Sequence, residues 1–150
     1  MSTLVIIPCG KAKVWDKEPR LGAVAAKNAY TGSPFKVNRE YAEAVGDRWV
    51  ILSARYGFVE PDYRLPGNYD VTFKKPGPDL VAPQVLREQI DSLGLAAFDS
   101  IEVLGGVGYR VAVQGAFDGL TPRLLFPFAG LPIGRGMQAI KQAIAAKGRS

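Results

Sequence analysis

The sequence TLVIIPC, residues 3–9, is a continuous run of apolar and β-branched side chains near the start of the chain. A strand with one face in water would alternate polar and apolar residues, and this run does not. Uninterrupted apolar runs are typical of strands buried on both faces, as in parallel sheets. This stretch therefore predicts a sheet that is covered by helices on two sides.

Similar runs recur along the chain, and helical patterns separate them. We predict strands at 48–54, 100–106 and 122–128, and helices at 33–45, 79–94, 107–117 and 133–148, with a further short helix over 22–30. Parallel strands need crossover connections, which helices usually supply. The alternation predicts an α/β fold in a single domain, with a mainly parallel four-stranded sheet and helices on both faces.

Two of the predicted helices begin with capping signals. Ser33 is expected to be the N-cap of the first long helix, because Pro34 then takes the first helical position. Asp79 is expected to cap the next one, with Pro83 near its start and Gly94 at its end. These signals place both helix starts just after loops.

Composition excludes several classes of protein. The chain has 150 residues, 47% of them hydrophobic and 22% charged, which suits one globular domain. No stretch approaches the roughly 18 consecutive apolar residues of a membrane helix, and the N-terminus does not resemble a secretory signal. We therefore expect a cytoplasmic protein with no membrane association.

The residues available for chemistry are few in kind. Cys9 is the single cysteine and the sequence contains no histidine. An internal disulfide, a Cys/His zinc site and histidine-dependent nucleophilic catalysis are therefore excluded. We expect no metal site and no cofactor, and acid–base chemistry has to come from Asp, Glu, Lys, Tyr or Cys.

The formal net charge of +5 is concentrated at the end of the chain. Beyond Asp118, the last acidic residue, five basic residues account for the whole excess: Arg123, Arg135, Lys141, Lys147 and Arg149. A basic segment attracts polyanions through counterion release. The sequence alone leaves open whether this segment contacts nucleic acid or is a solvated helix face.

Small and polar residues follow each predicted strand, at residues 9–13, 53–57, 105–109 and 126–130. In open α/β sheets, ligands bind outside the carboxyl ends of the strands. Glycine lets the backbone approach a ligand, while Lys, Arg and Tyr supply charge and stacking. We therefore expect an anionic, planar ligand to contact Lys11, Lys13, Ser53, Arg55, Tyr56, Gly57, Gly105 and Tyr109.

Several of these residues also have structural interpretations. Cys9 ends a buried strand, which favours packing over a nucleophile, although Lys11 and Lys13 nearby would favour its reactive thiolate form. Gly105 belongs to a GGVG turn. Its glycines have neither the spacing of a Walker phosphate-binding loop nor that of the dinucleotide-binding fingerprint, which favours a simple tight turn. Arg135, near the start of the last helix, belongs either to an anion site or to a simple turn.

The connection between residues 55 and 78 is unusually long and holds four prolines and three glycines, which indicates a functional loop. Arg55 and Tyr56 suit a phosphate clamp and a stacking surface; alternatively, Tyr56 is core and Arg55 pairs with a nearby carboxylate. Asp70 is our candidate general base or stabiliser of positive charge, with turn capping as the alternative.

Four motifs, IPCGKAK at 7–13, AYTGSPFKVNREYAE at 29–43, ILSARYGFVEPD at 51–62 and YD at 69–70, resemble a known family. It comprises bacterial and phage domains of unknown function related to the peroxide-stress protein YaaA. A more distant resemblance is to the glycosylase-like domain of archaeosine synthase. The matching positions are Cys9, Lys11, Lys13, Tyr30, Ser33, Ser53, Arg55, Tyr56, Gly57, Tyr69 and Asp70.

The resemblance implies an α/β fold and an association with DNA or modified nucleobases. With the residues above, it predicts a protein that cleaves or exchanges an N-glycosidic bond of a nucleotide or nucleic acid, with Asp70 and Cys9 as candidate catalytic residues. Two alternatives remain: a non-catalytic DNA-binding protein that uses the basic last helix, and a sensor of a small nucleotide. The base recognised and the oligomeric state stay open.

Overall fold

A computed structural model describes residues 1–148, so Arg149 of the basic segment lies outside the described residues. The elements are β1 (Thr3–Pro8), β2 (Val24–Ala25), α1 (Ala26–Ala29), α2 (Ser33–Val45), β3 (Arg48–Ser53), β4 (Gly57–Val59), β5 (Arg64–Leu65), α3 (Pro83–Leu93), β6 (Ser100–Val103), α4 (Val107–Ala116), β7 (Arg123–Leu125) and α5 (Ile133–Gly148). None of the helices described within residues 1–148 has both the length and the apolar character needed to cross a membrane.

The main sheet has five strands in the order β4-β3-β1-β6-β7. Parallel pairing joins β1 to β3 and β6, and β6 to β7, whereas β4 runs antiparallel to β3. The α/β class and the mainly parallel sheet are confirmed, but the prediction of four strands was wrong. The fifth strand, β4, is only three residues long and follows β3 after a tight turn, so its sequence merged with the long loop.

Helices cover both faces of the sheet. The side chains of the central strand β1 point alternately to the two faces, so they enter two separate apolar cores. Val5 and Ile7 pack in one apolar core with α2 and α5. Leu4 and Ile6 pack in a second core with α3 and α4. All four side chains are at most 1% exposed, which explains why the strand has no polar position.

The helix starts differ from the predicted ones. Gly32 is the N-cap of α2, and Ser33 is its first residue, with no capping hydrogen bond from a side chain. The other helix begins at Pro83 with Ala82 as N-cap, so Asp79 is not its cap. In both helices proline stands in the first turn, where its fixed φ and missing N–H suit helix initiation without a polar cap. Gly94 ends α3 in the left-handed conformation, as predicted.

A small second sheet ties the long loop to the start of the chain. β2 pairs antiparallel with β5, within the segment for which a helix over 22–30 was predicted. Only Ala26–Ala29 of that segment is helical. The prediction failed because pairing with a partner some 40 residues away overrides local helix propensity. This sheet joins the segment between Lys13 and Tyr30 to the loop that contains Tyr69.

The outer edge of β4 is closed by one side chain of α3. Gln89 accepts a hydrogen bond from the Phe58 N–H and donates one to the Tyr56 carbonyl, both at 2.8 Å. The amide thus satisfies the backbone of an edge strand that would otherwise be free to pair with another chain. Gly57 has a φ of +76°, and a Cβ there would lie 2.2 Å from the Gln89 Oε1. The amide can reach the strand only because this residue is glycine.

Replacing Gly57 with alanine is expected to lower the free energy of unfolding by roughly 1–3 kcal/mol, because of the strained backbone and the displaced amide. Urea unfolding followed by circular dichroism measures the effect. Gly67→Ala is the matched control, since a Cβ there meets nothing within 4 Å. Equal unfolding free energies for the two variants would contradict the role of Gly57.

Candidate functional site

The candidate site lies where β1 and β3 end side by side. The backbone N–H of Cys9 donates to the carbonyl of Leu52 at 3.0 Å, which continues the strand pairing beyond β1. Ser53 is the last residue of β3 and is 0% exposed. Two polar side chains that sequence analysis singled out are therefore held at neighbouring strand ends, at the carboxyl edge of the sheet.

The Ser53 hydroxyl organises the turn that follows β3. Its Oγ accepts hydrogen bonds from the N–H groups of Arg55 at 3.2 Å and Tyr56 at 3.1 Å, and donates to the Tyr69 hydroxyl at 2.9 Å. These bonds join the end of β3 to a residue of the long loop. The Arg55 guanidinium lies 5.5 Å from the centre of the Tyr56 ring and is exposed at the rim.

Two buried tyrosines continue this hydrogen-bonded network. The hydroxyls of Tyr30 and Tyr69 bond to each other, and both residues are at most 6% exposed. Tyr56 packs edge-on against Tyr69 with ring centres 5.3 Å apart. Burial raises the pKa of the Tyr30 and Tyr69 phenols above the ordinary value, and the nearby charge of Cys9 adds to the effect. Both phenols are therefore neutral hydrogen-bonding groups at physiological pH.

Lys13 brings a positive charge to these phenols. The residue is only 5% exposed, and its Nζ lies 4.5 Å from the centre of the Tyr69 ring and 6.0 Å from that of Tyr30. The Nζ donates a hydrogen bond to the carbonyl of Lys11 at 3.0 Å. No salt bridge joins it to a carboxylate anywhere in residues 1–148. The ammonium is thus held over aromatic faces with donor capacity to spare.

Burial and nearby negative charges have opposite effects on the pKa of Lys13. Desolvation by burial lowers the pKa of its ammonium, and the charges of Cys9, Asp16 and Asp70 oppose that effect, with burial dominating. Asp70 itself is exposed in the loop that covers the site. It contributes to the electrostatic surroundings of Lys13, and its role as a general base or stabiliser of positive charge stays a prediction.

Cys9 packs against the same apolar core as Tyr30 and Tyr69, and it meets Tyr109, which packs against the other core. The Cys9 Sγ and the Tyr109 hydroxyl are 3.3 Å apart, and the hydroxyl also donates to the Cys9 carbonyl at 3.4 Å. The Tyr109 ring packs edge-on against Phe73, with centres 5.0 Å apart. Burial raises the pKa of the Tyr109 phenol, with the nearby Cys9 as a second cause. Cys9 is half-buried, and its sulfur both packs against the core and hydrogen-bonds to a neutral phenol.

We call Cys9, Lys13, Tyr30, Ser53, Tyr69 and Tyr109 the tyrosine–lysine cluster. Two helices begin beside it, because helices that connect parallel strands start at the carboxyl edge. α2 begins after Gly32 and α4 after Gly106, and neither has a side-chain cap. Their first N–H groups are therefore available for an anionic group.

Four further residues that were predicted to contact the ligand lie outside the tyrosine–lysine cluster. Lys11 is exposed beside it, while Gly105 has a φ of +122° and turns the chain against Pro8, which supports the turn interpretation. Ser33 is exposed at the start of α2. Arg135 is exposed on α5 and makes no hydrogen bond to the cluster within the described part of the chain.

Two residues that shape the site, Asp16 and Phe73, were not predicted from the sequence. Asp16 accepts a hydrogen bond from the Lys13 N–H at 2.8 Å and one from the Asn68 side chain at 3.2 Å, which links the first loop to the long one. The K-x-x-D spacing at 13–16, a variant of the capping box, was the available signal. Phe73 had no such signal, because only the folding of its loop brings it to Tyr109.

Two surface clefts lie beside the cluster rather than in it. One, of about 240 Å³, lies between α4 and the residues that follow β7 and is bordered by Arg110 and Phe126. The other, of about 500 Å³, lies along β4 and α3 and includes Tyr56. The second cleft thus reaches the turn that Ser53 holds.

A family model and a bacterial protein match this chain, and the description of neither gives a function. The profile of a family of unknown function, DUF6884, matches residues 4–142. An uncharacterized protein, YfjM of Bacillus subtilis strain 168, is 38% identical over 148 residues, covering 98% of each chain. No solved structure matches the chain.

The raised pKa values of the buried tyrosines predict how stability depends on alkaline pH. Burial raises the pKa of Tyr30, Tyr41, Tyr69 and Tyr109 above the ordinary 10.0. The folded state holds these protons more tightly than the unfolded chain, so their contribution is fully present below pH about 10 and is lost as the pH rises further. Absorbance at 295 nm and circular dichroism, recorded together, measure phenol ionisation and unfolding.

We expect these four phenols to ionise only as the chain unfolds, because the folded state keeps them neutral. Tyr69→Phe serves as the comparison variant, since it removes one of the four. Ionisation of all six tyrosines of the sequence while the circular dichroism signal is intact would contradict the buried, neutral network.

Proposed function

The chain belongs to the DUF6884 family of unknown function, and we propose that its tyrosine–lysine cluster binds a nucleotide unit and acts on the N-glycosidic bond. The nucleotide belongs to a free nucleotide or to a nucleic acid. The proposed reaction is cleavage of that bond or exchange of the base.

The observation that most directly supports binding of a nucleotide is the buried side chain of Lys13. Removing an ammonium from water costs several kcal/mol unless a counter-charge compensates. Within residues 1–148, Lys13 has no carboxylate partner in a salt bridge. A site that keeps such a charge at the ligand-binding edge of a parallel sheet is suited to a ligand that brings negative charge.

The rim offers further positive charge for phosphate. Lys11 and Arg55 have exposed side chains, and their backbones bond to Lys13 and Ser53 of the cluster. The uncapped starts of α2 and α4 add backbone N–H donors and the positive ends of two helix dipoles. Phosphate groups are recognised by this combination of guanidinium, ammonium and backbone donors.

Aromatic rings around the cluster suit a planar base. Tyr56, Tyr109 and Phe73 are all half-buried, so each presents part of a ring to the surface. Stacking of a base on an aromatic ring contributes about 1–3 kcal/mol in nucleic-acid-binding proteins. A base lodged among these rings would place its sugar near the cluster.

Asp70 supplies the carboxylate that glycosidic chemistry needs. Cleavage proceeds through an oxocarbenium-like transition state, which a carboxylate stabilises or supplies with an oriented water. Asp70 is exposed beside the buried lysine and contributes to its electrostatic surroundings. Cys9, bonded to the Tyr109 hydroxyl, would contact the same sugar or its base.

The motif resemblance supports the same reaction class. The IPCGKAK and ILSARYGF motifs, which resemble those of the YaaA-related and archaeosine-synthase domains, contribute three of the six cluster residues, Cys9, Lys13 and Ser53. Those domains are associated with DNA and modified nucleobases. The resemblance therefore favours a nucleobase over other planar anions.

A second candidate function rests on the last helix. α5 carries Arg135 and Lys141, both exposed, and no acidic residue follows Asp118. A non-catalytic nucleic-acid-binding protein would use this surface, and its affinity would fall steeply with salt. Charge reversal at Arg135 and Lys141 would then weaken binding, while changes at Asp70 would not matter.

Replacing Asp70 with asparagine is expected to lower base release by about 100-fold or more while leaving ligand binding nearly unchanged, because the loss falls on the transition state. The measurement is mass spectrometry of small molecules released from nucleotides and from single- and double-stranded DNA with normal and modified bases. Asp79→Asn is the matched control, since Asp79 is also an exposed acid of the loop that precedes α3.

Unchanged base release in Asp70→Asn would refute the role of this carboxylate. Absence of base release from every substrate, together with retention of DNA that depends on Arg135 and Lys141, would favour the binding protein. Tight binding of one mononucleotide without any product would instead indicate a nucleotide sensor.

A further inference from the structure

We propose that the Lys13 amine is the nucleophile of this site, attacking the anomeric carbon of the bound sugar and forming a covalent imine with it. The proposal rests on the proposed function and assigns its reaction type: base removal through a lysine–sugar intermediate. It gives Lys13 a role distinct from that of Lys11, two residues earlier.

The two lysines of the first loop lie in opposite environments. Lys11 is exposed, as a residue that holds a phosphate at the rim should be. Lys13 is 5% exposed and lies over the face of Tyr69, with its Nζ 4.5 Å from the ring centre. An exposed lysine binds a phosphate at least as well, so burial is compatible with a second role for Lys13 besides attracting an anionic ligand.

The backbone around Lys13 fixes the position of its amine. The backbone N–H of Lys13 donates to the Asp16 carboxylate, and the backbone of Lys13 pairs with that of Tyr30 in an isolated β-bridge. The Nζ donates to the Lys11 carbonyl at 3.0 Å, which leaves its other positions free of protein hydrogen-bond partners within residues 1–148. The amine is therefore pre-positioned at the strand end rather than mobile, as a nucleophile must be.

The surroundings of Lys13 also favour its neutral, nucleophilic form. Desolvation lowers the pKa of its ammonium, which is how lysines become nucleophiles in apolar sites. The charged and titratable groups that face it from the neighbouring segments are Cys9, Lys11, Asp16, Tyr30, Tyr69 and Asp70. The two phenols stay neutral, and desolvation outweighs the opposing carboxylates and Cys9.

The step balances without an oxidant or a reductant. The neutral Lys13 amine forms a bond to the anomeric carbon as the bond from that carbon to the base breaks. The base leaves with the electron pair and takes a proton from the lysine nitrogen. The bond between the anomeric carbon and the ring oxygen then opens, the ring oxygen takes a proton from solvent, and a protonated imine remains.

Water completes the cycle by adding to the imine carbon. Collapse of that adduct breaks the carbon–nitrogen bond, returns the amine of Lys13 and leaves the sugar as a free aldehyde. Asp70, beside the lysine, stabilises the positive charge that develops at the anomeric carbon. A second base would give exchange instead of hydrolysis: it adds to the imine carbon, and the ring oxygen then re-forms its bond to that carbon as the bond to the lysine nitrogen breaks and the hydroxyl proton passes to the amine.

The test is reductive trapping with sodium cyanoborohydride, which converts an imine to a stable secondary amine. The probes are 2-deoxyribose 5-phosphate, ribose 5-phosphate and an oligonucleotide with one abasic site, because each offers the anomeric carbon as an aldehyde whatever the base. We expect a covalent adduct that peptide mass spectrometry assigns to Lys13. The yield should rise with pH as the amine loses its proton.

Lys13→Met should reduce adduct formation by about 100-fold, and Lys13→Arg should do the same while keeping the positive charge. Lys36→Met is the matched control, since Lys36 is an exposed lysine of α2 outside the cluster. Thermal unfolding of each variant verifies folding. Methionine fills the site without a buried charge, so that variant is expected to fold.

Adduct of equal yield in Lys13→Met, or adduct on other lysines with none on Lys13, overturns the proposal, as does absence of any adduct in the wild-type protein. Base release is measured in parallel on the same variants. Base release without an adduct overturns the lysine nucleophile and leaves the proposed function standing. Absence of both base release and adduct in the wild-type protein overturns the lysine nucleophile and the proposed function together.

Discussion

Everything else in this protein depends on burial of β1 on both faces. The strand lies between β3 and β6 within the sheet, and helices cover it from above and below. Its backbone groups are satisfied by parallel partners, and its side chains from Leu4 to Ile7 have no access to water. A polar side chain in this segment would cost several kcal/mol, so polar chemistry is confined to the strand ends.

The strand ends carry an unusual density of buried polar groups, and these groups satisfy one another. Ser53 bonds to two backbone N–H groups and to Tyr69, which bonds to Tyr30. Cys9 bonds to Tyr109. In a site of low dielectric, such a network rigidifies the surrounding loops and keeps its phenols neutral. A rigid floor of neutral phenols beneath the Lys13 side chain is the physical basis of both proposals.

Lys13 is the group that the fold itself does not explain. A methionine or leucine at this position would fill the same space without the cost of burying an ammonium. Its position at the carboxyl edge of the sheet, with Asp70 nearby and without a salt bridge in the described chain, is the feature on which the proposed glycosidic chemistry rests. The exposed Lys11 shows that a phosphate-binding role alone would not require burial.

By itself, the sequence determined the α/β class, the parallel core strands and the edge at which Cys9, Ser53 and Tyr109 gather, because apolar runs and helical periodicity are local signals. Tertiary structure decided the rest. It made β4 a strand closed by Gln89, and it replaced most of a predicted helix with β2. It also buried Lys13 against tyrosines from distant segments. These outcomes depend on pairings across tens of residues, which no local pattern encodes.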